Sequence, residues 1–292
     1  IIISRNFTSE EIYSIKNKNL SINLFLKTKD FLLGCDLLKY HLDNKKNILI
    51  IGDYDVDGCL STSLMVNFLN FYNSKVNFYI PDRFKDGYGA DQNLIKKLIN
   101  IYNPRLIIFL DCGSNSHSAI KYIKTKGISS LIIDHHNTYI PYPLSDVFIN
   151  PKKNVDYKKY DYLCTTFLTY MFIDLYIKLD KSKYLLNDDQ IYVLLATIAD
   201  VMPLRGINKI LAINVIKNFD LNKNFIFKNL FKILDIKKKL EINDLGYKIA
   251  PLLNSAGRLD NANKIVEMLT TKSKKILQKY YQKFIISIIK EN

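Results

Sequence analysis

Short apolar runs alternate with longer amphipathic segments between residues 47 and 150. Runs such as NILIIG, RLIIFL and SSLIID have the length of buried strands, whereas the segments between them repeat apolar residues every three or four positions, as helices do. The pattern predicts strands at 47–52, 76–80, 105–110, 129–133 and 146–149, and helices from about Gly58, at 91–103 and at 116–126.

This alternation favours an α/β fold: a mostly parallel sheet flanked by helices and followed by a helical segment. Residues 1–45 are predicted to form a helical N-terminal extension. From residue 161 onward the prediction is helical, with turns around 203–206 and at 254–261. We therefore expect one domain over residues 1–270.

The last segment, 272–291, carries an apolar stripe at helical spacing: Ile276, Leu277, Tyr280, Tyr281, Phe284, Ile285 and Ile288. The stripe either folds back on the core or packs against something else. We favour the second alternative, in which 271–292 begins a helix that connects to missing C-terminal domains or meets a partner helix.

Acidic and histidine-containing motifs follow the apolar runs directly. They are DYDVDG at 53–58, DCG at 111–113, DHHN at 134–137 and an Ala-Asp pair at 199–200. Because ligands of an open α/β sheet bind beyond the carboxyl ends of its strands, one crevice can collect these side chains. Bare carboxylates ~4 Å apart repel by roughly 4 kcal/mol at an effective dielectric of about 20, and divalent cations would remove that repulsion. The motifs therefore predict a hydrolytic metal centre.

The predicted metal ligands are Asp53, Asp55, Asp111, His135 and Asp200. Oxygen donors with some imidazole suit Mn²⁺ or Mg²⁺, whereas thiolates would suit zinc better. We expect two ions, bridged by Asp111, because paired ions activate water and hold a phosphoryl group. Asp57 is equally a helix cap or a ligand, and Asp134 is expected to orient a histidine.

Two further segments predict contacts to a phosphate-bearing substrate. Asn254 and Arg258 belong to NSAGR, where a guanidinium suits bidentate phosphate contact. Arg83 and Tyr88 belong to RFKDGYG, a basic, aromatic segment that suits stacking on a base and contact with a phosphate. Each segment is also compatible with an ordinary surface loop.

Net charge, cysteine content and the length of apolar segments indicate which partners and which cellular compartment to expect. The formal net charge of +14 favours an anionic partner such as nucleic acid, although an AT-rich coding sequence alone would also enrich the chain in Lys. The four cysteines have no CxxC spacing, so we expect neither zinc nor disulfides but a reducing, cytoplasmic compartment. No segment reaches the ~18 continuous apolar residues of a membrane span, and 162–177 comes nearest.

Taken together, DYDVDG, DCGSNS, IDHHN, ATIADVMPL and NSAGRL resemble the DHH phosphoesterase family, over about residues 7–270. The resemblance implies a Mn²⁺- or Mg²⁺-dependent catalytic domain. Within the family, the chain most strongly resembles the single-strand-specific 5′→3′ exonucleases of bacterial DNA repair and recombination. These enzymes release nucleoside 5′-monophosphates. The resemblance also implies that His136 contacts the scissile phosphate or assists proton transfer, and that Asn254 and Arg258 hold phosphate beside the catalytic Asp111.

Two other functions stay open at this point. One is a DHH phosphodiesterase that acts on short oligonucleotides, pAp or cyclic dinucleotides. The other is a non-enzymatic scaffold of the same fold. Retention of all the predicted metal ligands argues against the scaffold. One departure from the family is the segment 164–167, Cys-Thr-Thr-Phe, which stands where a glycine-rich turn is usual.

Overall fold

The computed structural model describes residues 28–82, 86, 90–153, 155–186, 189–236, 239–259 and 262–291. Its centre is a five-stranded, fully parallel sheet in the order β2-β1-β3-β4-β5. The strands are β1 (Ile48–Ile51), β2 (Val76–Tyr79), β3 (Leu106–Leu110), β4 (Ser129–Ile133) and β5 (Val147–Ile149). The predicted α/β class is confirmed, and all five predicted strands are present.

Helices cover both faces of the sheet. They are α1 (Lys29–Asp43), α2 (Val56–Phe71), α3 (Gln92–Tyr102), α4 (His117–Thr125), α5 (Thr165–Asp180) and α6 (Gln190–Ala199). Side chains alternate along a strand, so Ile48 and Ile50 join the larger core with α1, α2 and α5, whereas Leu49 and Ile51 pack with α3 and α4. Burial on both faces explains why the strands are continuous apolar runs.

The second half of the chain adds a helical layer to the larger core. A 3₁₀ turn (Val155–Tyr160) precedes α5. After α6, the layer comprises α7 (Gly206–Asn218), α8 (Phe225–Ile233), α9 (Ile242–Asp244), a π-helical turn (Leu245–Ile249), α10 (Ala250–Leu259), α11 (Asn263–Thr270) and α12 (Lys274–Glu291). The helical prediction from residue 161 onward is therefore confirmed for the described residues.

The turn predicted at 254–261 is wrong for its first six residues, because α10 runs through Asn254 to Leu259. Asn, Ser and Gly are weak helix formers. However, Leu252 and Leu253, directly before Asn254, are buried, and the helix continues from the preceding π-helical turn. Tertiary packing thus overrides local propensity.

The apolar stripe of α12 is partly packed. Leu277 and Tyr281 are buried against the core, so the expectation that the stripe packs against something other than the core is wrong for these two residues. The side chains from residue 284 onward lie outside the described residues. That this helix continues into further domains stays a prediction.

At the other end of the chain, α1 confirms a helix for the described part of the N-terminal extension, and residues 1–27 lie outside it. The apolar segment 162–177 lies largely in α5, a helix of the core. Among the described residues, no helix combines the length and hydropathy needed to cross a membrane.

Candidate metal centre

The acidic motifs meet at the carboxyl edge of the sheet. Asp53 follows β1, Asp111 follows β3, and Asp134 and His135 follow β4, which are three neighbouring strands. In the sheet, β2 lies on one side of β1, and β3, the next strand along the chain, lies on the other side of β1. The strand order therefore reverses between β1 and β3, and ligands of open α/β sheets bind in the crevice at such a point. Asp200 joins them from the end of α6.

Tight backbone geometry brings the loops of this edge together. A Cβ on Gly58 would lie 2.4 Å from the carbonyl oxygen of Asp53, so only glycine fits there. Asp111 has a φ of 62°, in the left-handed region that few non-glycine residues adopt, and Gly113 follows with a φ of 103°. Backbone strain of this kind is characteristic of functional sites.

Three carboxylates form the first donor group. Asp53, Asp55 and Asp111 each place a ligand atom within 4.8 Å of the others. Burial, reinforced by Asp55, raises the pKa of Asp53 to about 7. Burial, followed by repulsion from Asp57 and Asp55, raises the pKa of Asp111 well above its usual range. The fold therefore crowds negative charge in a place where water cannot compensate for it.

His135 links this group to the other side of the crevice. Its Nε2 lies 3.4 Å from Asp111 Oδ1, 3.4 Å from Asp200 Oδ2 and 3.8 Å from Asp57 Oδ2. Burial lowers the pKa of His135, so the ring is neutral at neutral pH and offers a lone pair to a cation. Burial, followed by repulsion from Asp57, raises the pKa of Asp200 to about 7.

Asp134 orients the second histidine of the motif. Its Oδ1 lies 2.8 Å from Nδ1 of His136 and also accepts the backbone N–H groups of His135 and His136. Burial alone would raise the pKa of Asp134, but the hydrogen bonds from His136 and Ser114 outweigh it and hold that pKa well below its usual range. The same pairing raises the pKa of His136 to about 9, so this half-exposed imidazole is charged at neutral pH.

Asp57 caps a helix, although not the one that follows it. Asp55 is the N-cap of its own helix α2, since its side chain accepts the N–H of Gly58 at 2.9 Å. Both oxygens of Asp57 instead accept N–H groups at the start of α5, from Thr165 at 2.7 Å and Thr166 at 2.8 Å. Of the two alternatives for Asp57, a ligand or a cap of the helix that follows it, the cap is therefore wrong. Asp57 still belongs to a donor group with His135 and Asp200.

The donor set fits divalent cations. Three overlapping groups of donors meet here: Asp53, Asp55 and Asp111; Asp111, His135 and His136; and Asp57, His135 and Asp200. Most of the donors are carboxylate oxygens, which suit Mn²⁺ and Mg²⁺, and the histidines add imidazole nitrogen. All four cysteines are buried, and none belongs to these groups. Bound cations would stabilise the carboxylates whose pKa burial raises.

Sequence reasoning missed four residues of this site: Ser114, Asn150, Lys152 and Thr165. Asn150 donates to both Ser114 Oγ and the backbone oxygen of His136, at 2.9 Å each, and so supports the histidine loop. Exposed Lys152 adds positive charge beside His135 and Asp200. The INPKK segment after β5 could have indicated Asn150 and Lys152, because these polar residues also follow the end of a strand.

The predicted substrate contacts are only partly described. Asn254 lies half-buried within α10. The backbone of Arg258 belongs to the same helix, but its side chain lies outside the described residues, as do Arg83 and Tyr88. Their contacts to a substrate stay predictions.

Residues 47–201 match the family model of the DHH family, N-terminal domain. This match covers more than half of the chain and includes every strand of the sheet and the predicted metal ligands. The chain belongs to the DHH family.

Several relatives of the chain are exonucleases called RecJ. The chain is 30% identical over 289 residues to the single-stranded-DNA-specific exonuclease RecJ of Bacillus subtilis, covering 92% of this chain and 34% of the relative. It is 29% identical over 239 residues to that of Escherichia coli, covering 76% of this chain and 41% of the relative. The chain thus spans well under half the length of these relatives.

Solved structures confirm the fold. A crystal structure of exonuclease RecJ bound to manganese superposes with a TM-score of 0.80 at 22% identity and covers 89% of this chain and 65% of that one. RecJ of Thermus thermophilus in complex with Mn²⁺ gives 0.77 at 21% identity, covering 89% of this chain and 37% of that one.

Proposed function

We propose that the chain is the catalytic core of a metal-dependent phosphodiesterase that degrades single-stranded DNA from its 5′ end and releases nucleoside 5′-monophosphates, in DNA repair and recombination. The observation that carries the proposal is the convergence of Asp53, Asp55, Asp111, His135 and Asp200 at one edge of the sheet. The relatives' names supply the substrate class, single-stranded DNA.

The donor groups suit two ions that share Asp111. Asp53 and Asp55 would hold one of them, and His135 and Asp200 would hold the other. When bound there, Mn²⁺ or Mg²⁺ would lower the pKa of a water molecule and neutralise charge on a phosphodiester. The neutral ring of His135 and the clustered carboxylates are the forms that such binding requires.

His136 is the proposed proton donor. Its side chain is 39% exposed at the rim of the crevice, and the hydrogen bond to Asp134 keeps it charged up to about pH 9. An imidazolium in this place can stabilise a non-bridging phosphate oxygen or protonate the 3′-oxygen that leaves when the first nucleotide is released.

We assign contacts farther along the DNA strand to the basic and aromatic residues around the metal centre. Asn254 and Arg258 would hold phosphate, while Arg83 and Tyr88 would contact phosphate and base. The formal charge of +14 and the exposed Lys152 support an anionic substrate.

The test is degradation of single-stranded DNA labelled at either end, with Mn²⁺ or with EDTA. The proposal predicts metal-dependent release of mononucleotides from the 5′ label first, and none from a blunt duplex. Release from the 3′ label first would contradict the polarity. Hydrolysis of pAp or dinucleotides without attack on DNA would point to the small-substrate phosphodiesterase, and absence of any hydrolysis to a non-enzymatic scaffold.

A further inference from the structure

Thr165 donates a hydrogen bond to Asp111, a carboxylate that belongs to two of the three donor groups. The distance from Thr165 Oγ1 to Asp111 Oδ1 is 2.9 Å, and both side chains are fully buried. The same oxygen lies 3.4 Å from Nε2 of His135. The hydroxyl thus fixes the orientation of the carboxylate oxygen that faces the ring of His135.

Asp57 holds Thr165 in place. Its two oxygens accept the N–H groups of Thr165 and Thr166, and its backbone oxygen accepts the hydroxyl of Thr166 at 3.0 Å. These contacts join the first turn of α2 to the first turn of α5 and satisfy N–H groups that a helix start leaves without intrahelical partners. Because threonine is stiff at χ1, a fixed backbone also restricts the direction of the Thr165 hydroxyl.

We propose that Thr165 is a positioning residue for the metal centre and that Asp57 is its anchor. The hydroxyl orients Asp111 before a divalent cation binds, and it leaves the remaining lone pairs of that carboxylate to the cation. This inference rests on the proposed function, because it assumes that Asp111 is a metal ligand. Groups that hydrogen-bond to metal ligands typically contribute about 10–100-fold to metal affinity or activity.

The same helix provides a matched control. Thr169 lies one turn after Thr165 in α5 and is also fully buried. Its hydroxyl has no hydrogen-bond partner among the described residues. Replacement of either threonine by valine keeps the shape of the side chain and removes the hydroxyl, but only Thr165→Val removes a contact to a candidate ligand.

The experiment is a Mn²⁺ titration of the purified chain, followed by the electron paramagnetic resonance signal of free Mn²⁺. Thr165→Val is expected to weaken Mn²⁺ binding by about 10–100-fold. Thr165→Ser, which keeps the hydroxyl, is expected to restore it, and Thr169→Val is expected to bind Mn²⁺ like the unsubstituted chain. Melting temperatures in EDTA identify any variant that is misfolded.

Unchanged Mn²⁺ affinity in Thr165→Val would overturn the inference. Equal losses in Thr165→Val and Thr169→Val would also overturn it, because they would assign the effect to packing of α5. Nuclease activity separates the two claims: Mn²⁺ binding with the expected pattern but without hydrolysis of DNA would refute the proposed function and leave the role of Thr165 intact. An unsubstituted chain that binds no Mn²⁺ would refute both.

Discussion

Nδ1 of His136 lies 2.8 Å from Oδ1 of Asp134, and this pair sets the charge at the rim of the candidate metal centre. The carboxylate is buried and the imidazole is partly exposed, so the pair presents positive charge to the crevice while its negative partner stays inside. His135, the adjacent residue, is held neutral by burial. The two adjacent histidines thus differ in charge: the neutral ring of His135 suits a cation, and the charged ring of His136 suits a phosphate.

Asp134→Asn is expected to lower the pKa of His136 from about 9 towards its ordinary value of 6.5, because the first cause of the rise is the hydrogen bond to the carboxylate. The stabilisation from this raised pKa is fully present below pH 6.5 and is lost as the pH rises through about 9. Histidine NMR titration in EDTA measures the shift directly. A His136 pKa that stays near 9 in the folded variant would show that Asp134 is not its cause.

The metal-free protein is expected to lose stability between pH 5.5 and pH 8. The pKa of Asp53 and that of Asp200 are raised to about 7, so the folded state binds more protons than the unfolded state in this range. The free energy of unfolding therefore falls as the pH rises through 7. Melting curves in EDTA at several pH values test this.

Mn²⁺ should reverse that trend. A cation at 100 times its dissociation constant adds about 2.7 kcal/mol to the free energy of unfolding, and its ligands bind it only when deprotonated. The stabilisation by Mn²⁺ should therefore grow from pH 5.5 to pH 8. Equal stabilisation at both pH values would mean that Mn²⁺ binds elsewhere.

Gly58→Ala is expected to destabilise the fold by about 3 kcal/mol, because the new Cβ would overlap backbone atoms of Asp53 that cannot move independently of β1. It should also weaken Mn²⁺ binding, since Asp53 is displaced. Gly127→Ala is the control: it has a φ of 64° but no atom within 4 Å of its Cβ. That variant should cost about 1 kcal/mol and leave Mn²⁺ affinity unchanged. Equal effects of the two substitutions on Mn²⁺ binding would contradict this account of Gly58.

Asn263→Ala is expected to lower the free energy of unfolding by about 2 kcal/mol, because it leaves a buried peptide group without partners. The side chain of Asn263 accepts the N–H of Ile80 at 2.8 Å and donates to its carbonyl oxygen at 3.0 Å, and so joins α11 to the end of β2. Urea denaturation measures the loss. Full stability of the variant would mean that water replaces both bonds without cost.

The sheet and the acidic edge could be predicted because each depends on local pattern. An apolar run predicts a buried strand, and an acidic residue directly after it, such as Asp111, must lie at the carboxyl edge of a parallel sheet. The pairing of Asp57 with Thr165 could not be predicted, because 108 residues separate them and no local pattern reports the contact. The turn expected around Asn254 failed for a related reason, since burial of Leu252 and Leu253 outweighed the composition of NSAGR.

The most direct test of the central claim is anomalous scattering at the manganese absorption edge from crystals of the chain soaked in Mn²⁺. Two peaks are predicted at the carboxyl edge of the sheet, one beside Asp53 and Asp55 and the other beside His135 and Asp200, both in contact with Asp111. No peak at Asp111, or peaks only at surface carboxylates elsewhere, would contradict the assignment of this edge as a metal centre.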